Sequence, residues 1–146
     1  MRDVLTRGAA LARVIREARA QPFDWRTMNC AVFAARCVDA QLDTCGWYEA
    51  RVRNEFPVEN ATQALQHCRD DGLLHRLCGV LGIPSPAGTK PAVGDVVLME
   101  DIRGISAIGV CTGLVLMVTG VEGLIPLTLD RARFVWSIER IAACQL

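Results

Sequence analysis

An excess of charge of either sign is missing from this sequence. Its 146 residues set 16 Lys plus Arg against 16 Asp plus Glu, so it offers no electrostatic footprint for nucleic acid or an anionic membrane surface. Histidine is scarce: there are two, His67 and His75, which leaves few candidates for a general base. Paired cysteine motifs are absent as well. The seven cysteines, at positions 30, 37, 45, 68, 78, 111 and 144, show no regular spacing and no CxxC. That pattern argues against a secreted disulfide framework and for synthesis in a reducing cytosol, where free cysteines act as small buried hydrophobes. The opening stretch MRDVLTRGAALARVIREARAQ carries charges throughout, so it lacks the unbroken apolar core of a signal peptide. There is no internal repeat and no low-complexity tail.

What is present fits one domain over residues 1–146, long enough to bury a core without disulfide staples. Apolar residues make up 51% of the chain. The stretch from Gly104 to Val121 is free of charge and reaches the roughly 18 residues at which a membrane span must be considered. Its glycines, threonines and β-branched residues fit two strands joined by a turn better. No membrane span is expected.

Residues 3 to 20 place Val4, Leu5, Leu11, Val14, Ile15 and Ala18 at helical spacing with arginines on the other face, and Pro22 stops that helix. A second helix, 29 to 42, buries Cys30, Phe33, Ala34, Cys37 and Val38, with Thr27 or Asn29 to cap it. A loop with Gly46, Trp47 and Tyr48 follows. Asn60 then caps a helix whose inner face is Ala61, Ala64, Leu65 and Cys68, ended by Asp71-Gly72. LLHRLCGVLG adds a short helical piece. After residue 83 the texture changes: IPSPAGTKPAVGD is rich in proline and glycine, and the apolar runs beyond it are short and β-branched. Strands are expected near 95 to 100, 106 to 112, 114 to 119, 124 to 128 and 134 to 140, with turns at Arg103-Gly104, Gly113 and GVEG. Helices first and an antiparallel sheet second make an α+β fold: a helix over 1–22, a helical part over 23–83 and a sheet part over 84–146.

Within FDWRTMNCAVFAARC, Cys30 falls at a helix start. There the unpaired backbone N–H groups and the positive end of the dipole favour a thiolate, the usual setting of a catalytic cysteine. A buried cysteine packed beside Cys37 is the bland alternative.

The order of features resembles NlpC-type papain-like peptidases. Those features are Trp25, Asn29, Cys30, Phe33, Ala34 and Ala35, then Gly94-Asp95-Val96-Val97-Leu98, then Ile108-Gly109-Val110-Cys111-Thr112-Gly113 and a glycine-rich hairpin. With Leu81-Gly82-Ile83-Pro84, Glu122-Gly123-Leu124 and Trp136, the match is closest to a small branch of that fold found in tail modules of long-tailed phages, prophages and gene transfer agents. In active members the strand after the Gly-Asp strand opens with the histidine that serves as general base. Here Ala107 stands in that place, and a methyl group can neither take the thiol proton nor pair with the thiolate. The polar residue that orients the imidazole should lie in LVLMVTG, where Thr119 alone is polar.

Neither His67 nor His75 lies where this scaffold presents its base; His67 is read as facing solvent and His75 as half-buried. His67, Cys68, His75 and Cys78 have a soft donor set suited to zinc. Neighbouring ligands on one helix, however, point about 100° apart, so no metal or other cofactor is expected. Asp95 is read as holding backbone amides at the turn into the first strand.

GWYEARVRNEF combines Trp47, Tyr48, Arg51, Arg53 and Phe56, a composition enriched in protein interfaces; a loop folded over the core with its aromatics inside is the other reading. The first helix has two places to pack, the domain or a neighbour. The resemblance implies a structural component of a phage or phage-like tail, near the distal tip or hub, with Cys30 as a vestigial nucleophile position. Its implied partners are other tail-tip and hub proteins and a ring-like homo-oligomer; its implied location is the virion, after synthesis in the bacterial host cytoplasm. The alternatives are an active cell-wall cysteine peptidase or amidase working during DNA delivery, and a tail-assembly chaperone absent from the finished particle.

Overall fold

A computed structural model describes residues 3–68, 72–100 and 105–144. The architecture is α+β: helices α1 (Val4–Ala20), α2 (Cys30–Leu42), α3 (Trp47–Glu55), α4 (Ala61–His67) and α5 (Gly72–Leu81) precede a five-stranded antiparallel sheet. The strands are β1 (Val96–Glu100), β2 (Ser106–Cys111), β3 (Leu116–Gly120), β4 (Gly123–Leu127) and β5 (Ala132–Trp136), in the order β4-β3-β2-β1-β5. A last helix, α6 (Ile138–Ala143), closes the described part. No helix among the described residues is long and apolar enough to cross a membrane. The expected Asp71 stop and the turn at Arg103-Gly104 lie outside the described residues.

Helix α1 starts where the Asp3 carboxylate accepts the Thr6 N–H at 2.8 Å. It presses Ala10, Leu11, Val14 and Ala18 onto α2. Two details depart from the sequence pattern. Val4 and Leu5 are exposed, whereas Arg7 is buried and donates to Glu139 at 3.3 Å, drawn inward by a carboxylate at the far end of the chain. Helix α2 is central and buried on nearly every side, and Ala31, Ala34 and Ala35 let its neighbours come close.

Helix α3 replaces the loop expected at Trp47 and Tyr48. Its exposed N-terminal amides find their acceptor on α2: Asp39 takes the Tyr48 N–H at 2.9 Å and the Glu49 N–H at 3.0 Å, and also the Thr44 hydroxyl. Helix α4 is capped by Asn60 as expected, its side chain accepting the Gln63 N–H at 3.0 Å, but it buries no residue, and Leu65 of the expected inner face is half exposed. The strand expected over 134 to 140 stops at Trp136, because Ser137 caps α6.

Strand alternation sorts the sheet into two faces. Val96, Leu98, Ile108, Val110 and Met117 join the helices in the main core; Val97, Met99, Cys111, Leu116, Val118 and Val135 form a second cluster. Leu127 at the end of β4, Leu129 in the connection and Ala132 at the start of β5 pack on that second cluster. Burial on both faces accounts for the unbroken apolar runs in β1 and β2. Pro126 lies on β4, an edge strand, where a missing N–H does no harm.

Candidate functional site

The segment before Cys30 is held at both ends. Asp24 and Met28 exchange backbone hydrogen bonds of 3.2 and 2.8 Å, and the Asp24 carboxylate accepts the Arg26 and Thr27 amides. Asn29 joins this loop to the helix: its Nδ2 donates to Trp25 O at 2.8 Å while its Oδ1 accepts the Val32 N–H at 2.9 Å. The Trp-x-x-x-Asn-Cys spacing is therefore a loop clasp and a helix cap in one side chain. Arg53 donates to Arg26 O and Thr27 O, and Arg36 reaches Gln21 and Met28; Glu49 binds both guanidiniums, at 2.7 and 3.0 Å.

This bracing has a pH signature. Burial pushes the Glu49 carboxyl up, but hydrogen bonds and charges from Arg36 and Arg53 outweigh it and hold Glu49 below its ordinary value. Its stabilising contribution is thus complete above the unfolded value of about 4.3 and is lost as pH falls through the lower folded value. Asp95 acts in the opposite sense: burial raises it despite two backbone N–H donors, so it favours the fold as pH falls. Glu49→Gln is expected to flatten the acid limb of a stability–pH curve by less than about 1 kcal/mol, measured by urea titrations between neutrality and pH 3.

Cys30 is the first residue of α2, a helix that lies against β2 and β3. Its side chain packs against both hydrophobic clusters, and Ala107 packs against the second of them as well. The β2–β3 pairing is confined to Val110–Met117 and Cys111–Leu116, so the two strands part beyond it, at the end that holds Ile108. Cys30 sits at this opening. Thr119, which the same register would set across from Ile108, is buried with its hydroxyl unpartnered.

The dipole argument made for Cys30 is overturned. Burial pushes its thiol up; the Ile108 amide acts in the opposite direction, and the nearby Cys68 thiol adds to the rise. A helix N-terminus contributes roughly 0.3–1 kcal/mol to an exposed anion, whereas enclosing a titratable group can move its pKa by several units. Desolvation wins, and the protonated thiol is the stable form at neutral pH.

Neither histidine approaches this sulfur. His67 donates from Nε2 to Pro57 O at 3.0 Å and stands edge-on to Phe56, so it is tied to its own loop instead of facing free solvent. His75 is exposed, not half-buried. Cys68 turns to β2, its thiol donating to Ser106 O at 3.7 Å. No group of three or more metal-ligating side chains occurs among the described residues. Sequence reasoning missed Cys68 as a neighbour of Cys30, and no local signal marks it, since the two meet only through β2.

Asp95 accepts the Ala92 N–H at 2.8 Å, as read from the sequence, and also the Ile138 N–H at 3.0 Å at the start of α6. Trp136 is tied to the segment after α5, its Nε1 donating to Gly82 O at 2.9 Å. The interface candidates divide. Tyr48 and Phe56 belong to the core, which removes them from any contact surface; Arg53 is spent on the Cys30 loop. Trp47 is 49% exposed, with the Arg51 guanidinium 5.2 Å from its ring centre and bonded to Gly79 O. A surface cleft between residues 85–91 and β5, rimmed by Lys90, Asp130 and Arg133, has no lining residue in common with the Cys30 opening.

No curated protein and no solved structure matches the chain. A family model does, over residues 5–138, a span that takes in the Cys30 helix, the whole sheet and the first residue of α6. The chain belongs to that family, described as a domain of unknown function, DUF6950.

Proposed function

We propose that this is a papain-like domain of the NlpC type whose cysteine site has lost its base, retained as a structural component near the distal tip or hub of a phage or phage-like tail. The observation that carries the reading is that Cys30 and Ala107 pack against the same cluster: at the position where the resemblance expects the catalytic histidine, the side chain is a methyl group facing the cluster that Cys30 also touches. The raised Cys30 thiol supports the same view, because an imidazolium beside it would favour the thiolate instead. The tail assignment itself rests on the ordered motifs from Trp25 to Trp136 and on family analogy. Its partners are then other tail-tip proteins or further copies of the chain in a ring.

Purified particles are expected to contain the protein at fixed stoichiometry by quantitative mass spectrometry, and zymograms on cell-wall material are expected to stay blank. Recovery only as a free protein outside particles would overturn the tail role. Clearing that disappears with Cys30→Ser would instead establish the peptidase alternative.

A further inference from the structure

Cys30 and Cys68 stand 38 positions apart in the chain, and both are free thiols. Both are half-buried and pack against the main core, and both reach the opening strand of β2. Cys68 does so by donating to Ser106 O, Cys30 by packing against the second cluster, as Ala107 does, and facing the Ile108 amide. Along a strand the carbonyl of one residue and the N–H of the next but one project to the same edge. Ser106 O and Ile108 N–H therefore share an edge, at the end of β2 where its pairing with β3 has lapsed. The buried, unpartnered Thr119 hydroxyl marks the same gap in the ladder.

We propose that Cys30 and Cys68 form an oxidisable dithiol that closes to a disulfide on exchange with a small-molecule disulfide. The latch would tie the end of α4, a helix that buries nothing of its own, across the approach to Cys30. Cys68 is the less enclosed of the two and attacks first. Its thiolate displaces one small thiolate, which takes up a proton, and leaves a mixed disulfide on Cys68. Cys30 then gives its proton to solvent and attacks the Cys68 sulfur, expelling the second small thiolate. Two protein thiols are oxidised and one small disulfide is reduced to two thiols. Burial holds both thiols up, so exchange quickens about tenfold per pH unit toward the alkaline side.

The test treats the full chain with oxidised glutathione at mildly alkaline pH and maps peptides by mass spectrometry without reduction. The exposed Cys45 and Cys144 are first replaced by serine to silence their background. The expected product is a single cross-linked peptide pair joining Cys30 to Cys68, with glutathione retained on Cys68 in the Cys30→Ser variant. A map of the protein with Cys30 intact in which Cys68 keeps its glutathione while Cys30 stays free would overturn the proposal, as would a cross-link from either to Cys37, Cys78 or Cys111. Because the readout is a bond within the isolated chain, it stands or falls independently of any role in a tail.

Discussion

Ala107→His is expected to raise the alkylation rate of Cys30 at pH 6.5 by about a hundredfold. In the native chain an ordinary thiol value of about 8.5 would leave roughly 1% thiolate at that pH, and burial reduces the fraction further. An imidazole at position 107 would face the second cluster, which Cys30 also touches, and from there it is expected to take the thiol proton and stay as a cation. A pair of that kind lowers a thiol by two units or more; the intrinsic nucleophilicity that falls with the pKa returns part of the gain, which keeps the estimate near a hundredfold. Ala107 is only half-buried, so the larger ring has a route toward solvent and need not be forced into the core. Iodoacetamide labelling followed by peptide mass spectrometry reads Cys30 against the exposed Cys45 and Cys144, whose rates should not move. An unchanged Cys30 rate in a folded variant would mean that residue 107 is not the base position, and the alignment with active peptidases would fail with it.

The same residues show how far the sequence carries. At several places where a signal and its partner lie within a few positions, the reading holds: Asn29 and Asn60 cap their helices, Gly113 turns the chain at a positive φ, and Asp95 takes the Ala92 amide. Where the partner is remote, it does not. Helix α3 was hidden because its cap, Asp39, belongs to the preceding helix, and Gly46 beside it reads as a loop residue. Arg7 looked like a solvent-facing cation because Glu139 was out of view. In FVWSIERIA the strand period passes into the helix period without a break in hydrophobicity, and only Ser137 marks the change. At the site, the helix start was legible, while the enclosure that reverses the expected thiol shift depends on how α2 meets the opening between β2 and β3. Local chemistry can be read from residue types, but desolvation is a property of the assembled fold.

Gly94→Ala is expected to destabilise the domain by about 4 kcal/mol, from two sources that can be separated. Gly94 has φ +90, a conformation that costs a residue with a Cβ roughly 1–2 kcal/mol. A Cβ there would also run into the side-chain amide of Gln41. Gln41 has nowhere to go: it is 1% exposed, and its Nε2 donates to Cys37 O and to Gly94 O itself, each at 3.1 Å. Displacing it leaves buried polar groups without partners, at about 1–3 kcal/mol each. Gly88→Ala isolates the first source, since Gly88 has φ +82 and nothing within 4 Å of an added Cβ. Urea unfolding should therefore show a loss of only about 1–2 kcal/mol for Gly88→Ala, and equal losses for the two variants would refute the close-packing account. Adding Gln41→Ala to Gly94→Ala should cost less than the sum of the single changes, because the collision is removed with the amide. The effect reaches the site through β1: Gly94 N donates to Cys111 O at 2.8 Å and Asp95 O accepts Cys111 N–H at 2.9 Å. Those two bonds sit at the end of the β1–β2 ladder, whose register holds Ile108, the residue whose amide faces Cys30, opposite Leu98. A partly folded Gly94→Ala protein should consequently expose Cys30 to alkylation before the exposed cysteines change their rates, which ties the glycine of the Gly-Asp pair to the geometry of the thiol pocket.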